Sequence, residues 1–433
     1  MLSFVPKLSL PGSFHLPVIS SKSKLAAAKY LQLNHQRHHC FFDDRGLHNH
    51  CAHHVLAALA LGASAERIEE IYRHHASYQR LLQAPLLKPG DLFKPDVWQN
   101  CLGKEQYYHD FMQFFEKELE ENGLEETCRK HLFGETSQAK DLLDRFYAGL
   151  YHPFIHVGYG VEFGLLGIVA EGLAETAVQS NQSNEFFVKC EAVEGKEGLK
   201  LEEVFQQVIQ DKRCKDSTKW EDSQKLTDGV FARAMGPLTN IVGQYKVKDS
   251  EIRTKAAEIL NLATMIYAAS HRPEKIMKFD FFIMHTLTSS VFLQVFIEAP
   301  WISASHKARL LERAAWMDIA VYLSRGSPAL HVQAVENFAE LPMEAGWLDI
   351  WKRAVHYDDD GHAMKTVRAL ANAQKYCEDK DCGAMKDEMF LKAGAMTMAS
   401  VENFLDVVWV RSTGFDEAWA DIPARQAIVS QKT

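Results

Sequence analysis

Residues 151–179 read YHPFIHVGYGVEFGLLGIVAEGLAETAVQ, an apolar run broken by Gly158, Gly160, Gly164, Gly167 and Gly172. Glycines lack a Cβ and let two backbones approach closely, so this composition fits a tightly packed helix pair better than a solvated segment. The spacing Gly158-x-Gly160-x-x-x-Gly164 invites comparison with a nucleotide-binding loop. It is off by one, no β-run precedes it, and it lies within a helical region, whereas the dinucleotide fingerprint needs strand, turn and helix in that order. This weighs against an intrinsic flavin or nicotinamide domain.

On either side of this stretch the periodicity is helical. His50–Leu61 ends at Gly62, a C-cap signal, and Ser64 caps a helix from Ala65 to about Leu82. Glu105–Glu121 ends at Asn122-Gly123, and Ser137–Leu150 is amphipathic. Further helical patterns cover about 250–271, 279–297, 305–324, 329–340, 360–377 and 386–410. The best strand candidate is Glu185–Val188, and it is weak. The expected fold is all-α, one large helical domain with a metal site among its core helices. Residues 46–415 form that domain, with 1–45 as an N-terminal arm wrapping the core and 416–433 as a C-terminal tail. The polar, weakly periodic stretch 180–248 reads as a variable surface insertion.

Composition narrows the function. The 433 residues carry 48 Lys+Arg against 57 Asp+Glu, a net charge of −9, which lacks the basic footprint of a nucleic-acid binder. Eight cysteines are scattered without a CxxC pair, so neither a zinc ribbon nor a disulfide scaffold is expected. No export or transit signal is read at the N-terminus. The longest uncharged apolar run, Phe281–Ile297, is too short and too polar for a membrane span. A cytoplasmic protein without membrane partners is expected.

The unusual number is 20 histidines. Four histidine segments stand in apolar surroundings. In the first, His50, His53 and His54 share a helix face at i, i+3, i+4, with Cys51 between them. The second is Tyr151–Phe163, with His152, His156 and Glu162. The third places His285 alone in an apolar helix. The fourth, Asp358-Asp359-Asp360-Gly361-His362, sets His362 and Lys365 one turn apart. Helical bundles build metal sites from such inward-facing pairs, and neutral imidazole is the commonest protein metal ligand. Cys51 and His53, at i, i+2, do not face each other, which disfavours a thiol nucleophile. The pairs His38-His39 and His74-His75 read as surface or entry-path residues.

The four segments, in order and spacing, resemble the questin oxidase-like family over roughly residues 45–410. The most specific pieces are Asn49–His54 with Ala60–Ala63, His152-Pro153 with Ile155–Tyr159 and Glu162, and Gly361–Lys365. The resemblance implies an oxidoreductase of secondary metabolism, a monooxygenase or dioxygenase that opens anthraquinone-type polyketide rings with O2. It implies a mononuclear non-haem Fe(II) held by four histidines and a carboxylated lysine. The matching positions are His53 (or His54), His156 (or His152), His285, His362 and Lys365, which would be both metal ligands and catalytic residues. His50, His54, His152 and Glu162 are left as supporting or alternative ligands. Phe281, Phe282, Met284, Tyr159 and Trp316 are candidate pocket walls. A reductase partner and NADPH stay open as electron sources, although no motif supports NADPH binding. The competing readings are a non-catalytic helical ligand-binding or scaffold protein and a zinc-dependent hydrolase.

Overall fold

The computed structural model describes residues 2–339, 346–403 and 405–425. Among them are nineteen α-helices and no β-sheet, only isolated bridges such as Phe41 with His48. The fold is all-α. No described helix is long and apolar enough to cross a membrane. The chain divides into two compact units, one of residues 1–184, 294–303 and 358–365, the other of the remaining segments.

The first unit contains α1 (Ser21–Arg37), α2 (Cys51–Ala60), α3 (Ala65–Ala76), α4 (Pro95–Cys101), α5 (Tyr108–His131), α6 (Ser137–Arg145), α7 (Ala148–Phe163) and α8 (Leu166–Val178). The glycine-rich stretch forms α7 and α8, packed on each other. A Cβ on Gly160 would lie 2.7 Å from the Val169 backbone nitrogen, and one on Gly172 would lie 2.7 Å from that of Val157. The two contacts are reciprocal, so each helix seats its glycine on the other's backbone. Ahead of α2, residues 2–20 run along this unit. The Lys7 amide donates to the Phe163 carbonyl, the Leu16 amide to the Ala60 carbonyl, and the Phe14 amide to Glu162 Oε1 at 3.0 Å.

The second unit contains α9 (Asn184–Glu191), which starts at the boundary, α10 (Leu201–Gln210), α11 (Lys212–Lys215), α12 (Ala232–Val242) and α13 (Ile252–Ala268). They are followed by α14 (Ile283–Glu298), α15 (Ala304–Ser324), α16 (Val332–Glu336) and α17 (Gly346–His356). The last two are α18 (His362–Cys377) and α19 (Met389–Val401). Helices α14 and α18 each have one end in the first unit's segments.

Several sequence expectations are corrected. Glu185–Val188 is helical, within α9, because Phe186, Phe187 and Cys190 fall on one buried face. The helix expected to stop at Asn122-Gly123 instead turns through Gly123 (φ 77°, ψ 176°) and continues to His131. The helix from Ala65 ends at Ala76, with Ser77 as its cap, rather than near Leu82. Of the pattern at 329–340, α16 covers five residues and residue 340 lies outside the described chain, as do residue 404 of the 386–410 pattern and residues 426–433 of the tail.

Adding a methyl group at the α7–α8 contact tests the packing. Gly172→Ala should cost about 1–3 kcal/mol, read as a lower urea midpoint, because overpacking here meets backbone. Adding Val157→Ala should restore only part of the loss, since it removes a side chain and leaves the backbone nitrogen in place.

Candidate metal centre

Helix α2 begins at His50, which acts as its N-cap residue with Asn49 Oδ1 accepting from the Cys51 amide. All ten residues of α2 are buried, His53 and His54 among them. They part company within one turn. His53 lies over Tyr159, with ring centroids 5.4 Å apart, and its Nε2 is 3.1 Å from His156 Nδ1. His54 faces the other way, its Nδ1 3.1 Å from His75 Nε2, and His75 Nδ1 accepts from the Tyr78 hydroxyl at 2.7 Å. His50 Nε2 lies 2.8 Å from His152 Nε2, and the His152 ring stacks on His48 at 3.9 Å. Among the described residues His53 Nδ1 and His54 Nε2 have no hydrogen-bond partner.

Helix α18 supplies the opposing donors. Asp359 caps it, accepting from the Gly361 amide at 2.7 Å and the Ala363 amide at 2.8 Å, so the aspartate run forms an N-terminus as its composition suggests. Asp360, half-buried, is thereby turned toward His50 and His362. One of its oxygens is 3.1 Å from His50 Nδ1 and the other is hydrogen-bonded to His362 Nδ1. His50, Asp360 and His362 each offer a donor atom within 4.8 Å of the others. Gly361, at φ 94°, lies flat against the His54 ring, where a Cβ would come within 2.7 Å of Cγ.

Electrostatics divide the histidines into two sets. Burial pushes the pKa of His50, His53 and His54 well below the usual imidazole value, with the Lys365 charge adding to it. Burial likewise lowers His39 to about 4, and His48 and His75 to about 3. These rings are neutral near pH 7, the form in which imidazole ligates a metal. For His35 and His156 burial also opposes charge, but hydrogen bonds to carboxylates win. His35 sits between Glu116 (2.8 Å) and Glu171 (2.7 Å) and is raised to about 10. His156 Nε2 binds Glu171 at 2.9 Å and is also raised. Glu171, despite its burial, is held at about 2 by these two imidazoles. Glu175, buried without such a bond, is raised to about 8.

Lys365 is buried, and burial brings its amine down to about 8 against the raising effect of Asp360 and Asp359. Among the described residues its Nζ makes no hydrogen bond or ion pair.

The structure therefore brings together His50, His53, His152, His156 and His362 from the sequence-selected residues, in one unit with Lys365. Glu162, on α7, accepts from the Phe14 amide through Oε1 and from the Ser13 hydroxyl through its carbonyl, and so fastens the N-terminal arm. His285 lies on α14, with Nδ1 bonded to the Phe281 carbonyl at 2.8 Å. Of the expected pocket walls, Tyr159 stands against His53, while Trp316 lies beneath the Lys246 ammonium at 4.7 Å. His38, His39 and His75 are buried, and only His74 of the two presumed surface pairs is exposed; apolar neighbours such as Tyr72 and Tyr108 cover the others. Sequence reading missed Asp360 as a donor, having treated it as part of a cap. It also missed Glu171 and Glu175, whose i, i+4 spacing inside an apolar stretch was the available signal.

The donor chemistry fits a transition metal. Two imidazoles and one carboxylate at one point, both ring types neutral or carboxylate-bound, is the combination non-haem Fe(II) sites use. The model of the Questin oxidase-like family matches residues 47–370. The chain belongs to this family. It is 31% identical to a Baeyer-Villiger oxidase of Paecilomyces divaricatus over 97% of this chain and 96% of that one. It is 32% identical to a Baeyer-Villiger monooxygenase of a Cryptosporiopsis species, covering 94% and 96%. Identity to the questin oxidase of Aspergillus terreus is 30%, covering 92% of each chain.

Acid should expose the neutral histidines. A ring whose folded pKa lies below its unfolded value of about 6.5 contributes stability above that pH and loses it as pH falls, because only the unfolded chain takes up the proton. His39, His48 and His75 together give about 4 kcal/mol per pH unit between pH 6 and 4.5, against about 1.4 in the opposite sense from Glu175. Asp359, raised by burial and by the Asp360 charge, opposes in the same way, while His50, His53 and His54 add to the acid loss. For metal-stripped protein the urea midpoint should fall steadily from pH 6.5 to 4.5. A flat midpoint over that range would mean the rings are not held neutral.

Proposed function

We propose that this protein is a non-haem iron oxygenase that uses O2 to cleave or oxygenate an aromatic, anthraquinone-type polyketide ring. The carrying observation is the convergence of His50, Asp360 and His362 inside a cluster of buried imidazoles. The names of the relatives support an oxidoreductase, and the name questin oxidase supports the substrate class.

Two donor sets are proposed, and they share His362. One is the convergent set, His50, Asp360 and His362. The other is the set the family resemblance implies, His53, His156, His285, His362 and Lys365. Both ring nitrogens are engaged in each set, those of His156 by His53 and Glu171 and those of His50 by Asp360 and His152, so the choice between the sets rests on the convergence of His50, Asp360 and His362. Lys365 serves either. Its amine can add CO2, releasing a proton and leaving a carbamate whose oxygens are donors, and the first turn of α18 favours that negative charge.

Iron bound here would supply the O2 activation that no amino-acid side chain provides. The chain's own part is to present neutral ring nitrogens and to hold Asp360 ionised. Burial would raise Asp360, but the His362 and His50 bonds outweigh it and keep it a carboxylate. Glu171 fixes the His156 ring and so fixes the neighbour of His53.

Metal analysis of protein purified without a histidine tag decides the class: one iron per chain is expected, stoichiometric zinc would make it a hydrolase, and no metal would make it a scaffold. Iron-loaded protein should consume O2 with a reduced anthraquinone or an anthrone, and no uptake across such a panel would remove the substrate class. His362→Ala should strip iron under either donor set. His50→Ala and Asp360→Asn should do the same if the convergent set holds; retention of iron in both, with loss in His53→Ala and His156→Ala, would favour the other.

Lys365 has its own test. Lys365→Ala should lose iron and turnover, Lys365→Glu should keep weak binding through its carboxylate, and CO2-depleted enzyme should regain activity on adding bicarbonate. Bicarbonate independence would leave Lys365 an ordinary amine.

A further inference from the structure

Helix α3 reaches back toward α2 through His75, a buried residue near its end. Three residues on, the Tyr78 amide donates to the His75 carbonyl at 3.2 Å, a turn that brings the Tyr78 ring beside the imidazole. The Tyr78 hydroxyl is 2.7 Å from His75 Nδ1, and His75 Nε2 is 3.1 Å from His54 Nδ1. A hydrogen-bonded line therefore runs from Tyr78, 36% exposed, to His54, 1% exposed.

The direction of each bond follows from the chemistry of the groups. A phenol is the stronger acid and a bare imidazole nitrogen the stronger base, so the hydroxyl donates and His75 Nδ1 accepts. Both rings are neutral, and a neutral imidazole carries one N–H. With His75 Nδ1 accepting, its hydrogen is on Nε2 and is given to His54 Nδ1. The single hydrogen of His54 is then left on Nε2. That nitrogen is buried and has no hydrogen-bond partner among the described residues. Turning the His54 ring over would set a carbon against His75 Nε2, so the His75 bond also fixes where Nε2 points. The ring lies against Gly361, the residue between Asp360 and His362, so His54 borders the convergent donors.

We infer that His54 is a hydrogen-bond donor to an oxygen of the aromatic substrate rather than a metal ligand, and that Tyr78, acting through His75, is the positioning residue that fixes its hydrogen on Nε2. A nitrogen that carries a hydrogen has no lone pair to give a metal. A buried N–H without an acceptor is costly, and an acceptor that arrives with a ligand relieves that cost. Quinone carbonyls and phenolic oxygens are such acceptors, so the inference rests on the substrate class proposed above. The sequence left His54 as an alternative ligand because its offset from His50 shows a shared face and not which nitrogen is protonated.

The test reads histidine tautomers by long-range proton–nitrogen NMR on the full chain, without metal and with zinc as a diamagnetic stand-in. In both states His54 Nε2 should carry the hydrogen. A hydrogen on Nδ1, or an Nε2 that gives up its hydrogen to zinc, would overturn the inference. Tyr78→Phe removes one oxygen from a partly exposed side chain and should turn His54 into a mixture of tautomers, with circular dichroism unchanged. An unaltered His54 tautomer in that variant would remove the role given to Tyr78. Alizarin, a hydroxylated anthraquinone, should move the His54 Nε2 proton downfield on binding. His54→Leu should keep its iron and bind alizarin about tenfold more weakly, the worth of one hydrogen bond. His54→Gln, whose amide donates from the same position, should recover most of that affinity. Iron lost in His54→Leu, an unmoved N–H with alizarin present, or equal affinity in His54→Leu would each overturn the inference. Absence of iron or of O2 uptake in the unaltered protein would fail the proposed function alone, because the tautomers and alizarin binding are read without iron.

Discussion

The close approach of α7 and α8 is the constraint from which the histidine cluster follows. With Gly160 on Val169 and Gly172 on Val157, the two backbones come near enough that side chains one turn away face each other across the contact. His156 therefore meets Glu171 and lies 3.5 Å from Glu175. From this pair the rest of the cluster extends by imidazole contacts, through His53 to Tyr159 in one direction and through His152 and His50 to Asp360 in the other. A methyl group between the helices would shift a carboxylate–imidazole bond on which every later contact leans.

Burying so many polar rings is costly unless each is either neutral or matched with a carboxylate. The structure uses both solutions. Glu171 takes the charge of His35 and His156 on one flank, where breaking the pair would leave an uncompensated buried ion. His48, His50, His53 and His54 stay uncharged because burial dominates, although Glu175 lies 3.3 Å from His48 Nε2 and Asp360 is shared by His50 and His362. The carboxylate-bound rings and the neutral ones meet at His53, whose Nε2 is 3.1 Å from His156 Nδ1. His53 Nδ1 and His54 Nε2, buried without partners among the described residues, belong to the neutral rings.

Much of this was legible in the sequence because it depends on local rules. The helix pair was written in the glycines of residues 151–179, and the start of α18 in an aspartate run before Gly361. The offsets of the first segment put His50, His53 and His54 on one face, whereas His54 turns away from the other two to meet His75. What escaped depends on partners far along the chain. Nothing near Asp360 announces that it faces His50, 310 residues away. His75 looked like a surface residue because His74 and Arg73 beside it are exposed, and only the approach of His54 shows why it is buried. The bond from Glu162, read as a supporting or alternative ligand, to the Phe14 amide of the N-terminal arm was equally invisible, because its partner lies 148 residues away. The kink at Gly123 escaped for another reason: Asn-Gly marks a break in the helical path, and sequence cannot say whether the helix resumes.

Gly361 ties the two ends of the first unit's histidine chain together. Its left-handed backbone lets Asp359 cap the helix while Asp360 turns in, and its missing Cβ is the space into which the His54 ring fits. A larger residue would have to move either that ring or the start of α18. Moving the ring breaks its bond to His75 and hence the link to Tyr78. Moving the helix start shifts Asp360 and His362 together, since they are neighbours on either side of the same residue. The glycine thus couples two contacts that share no atoms, and the donor geometry at His50, Asp360 and His362 depends on a residue that contributes no side chain to it.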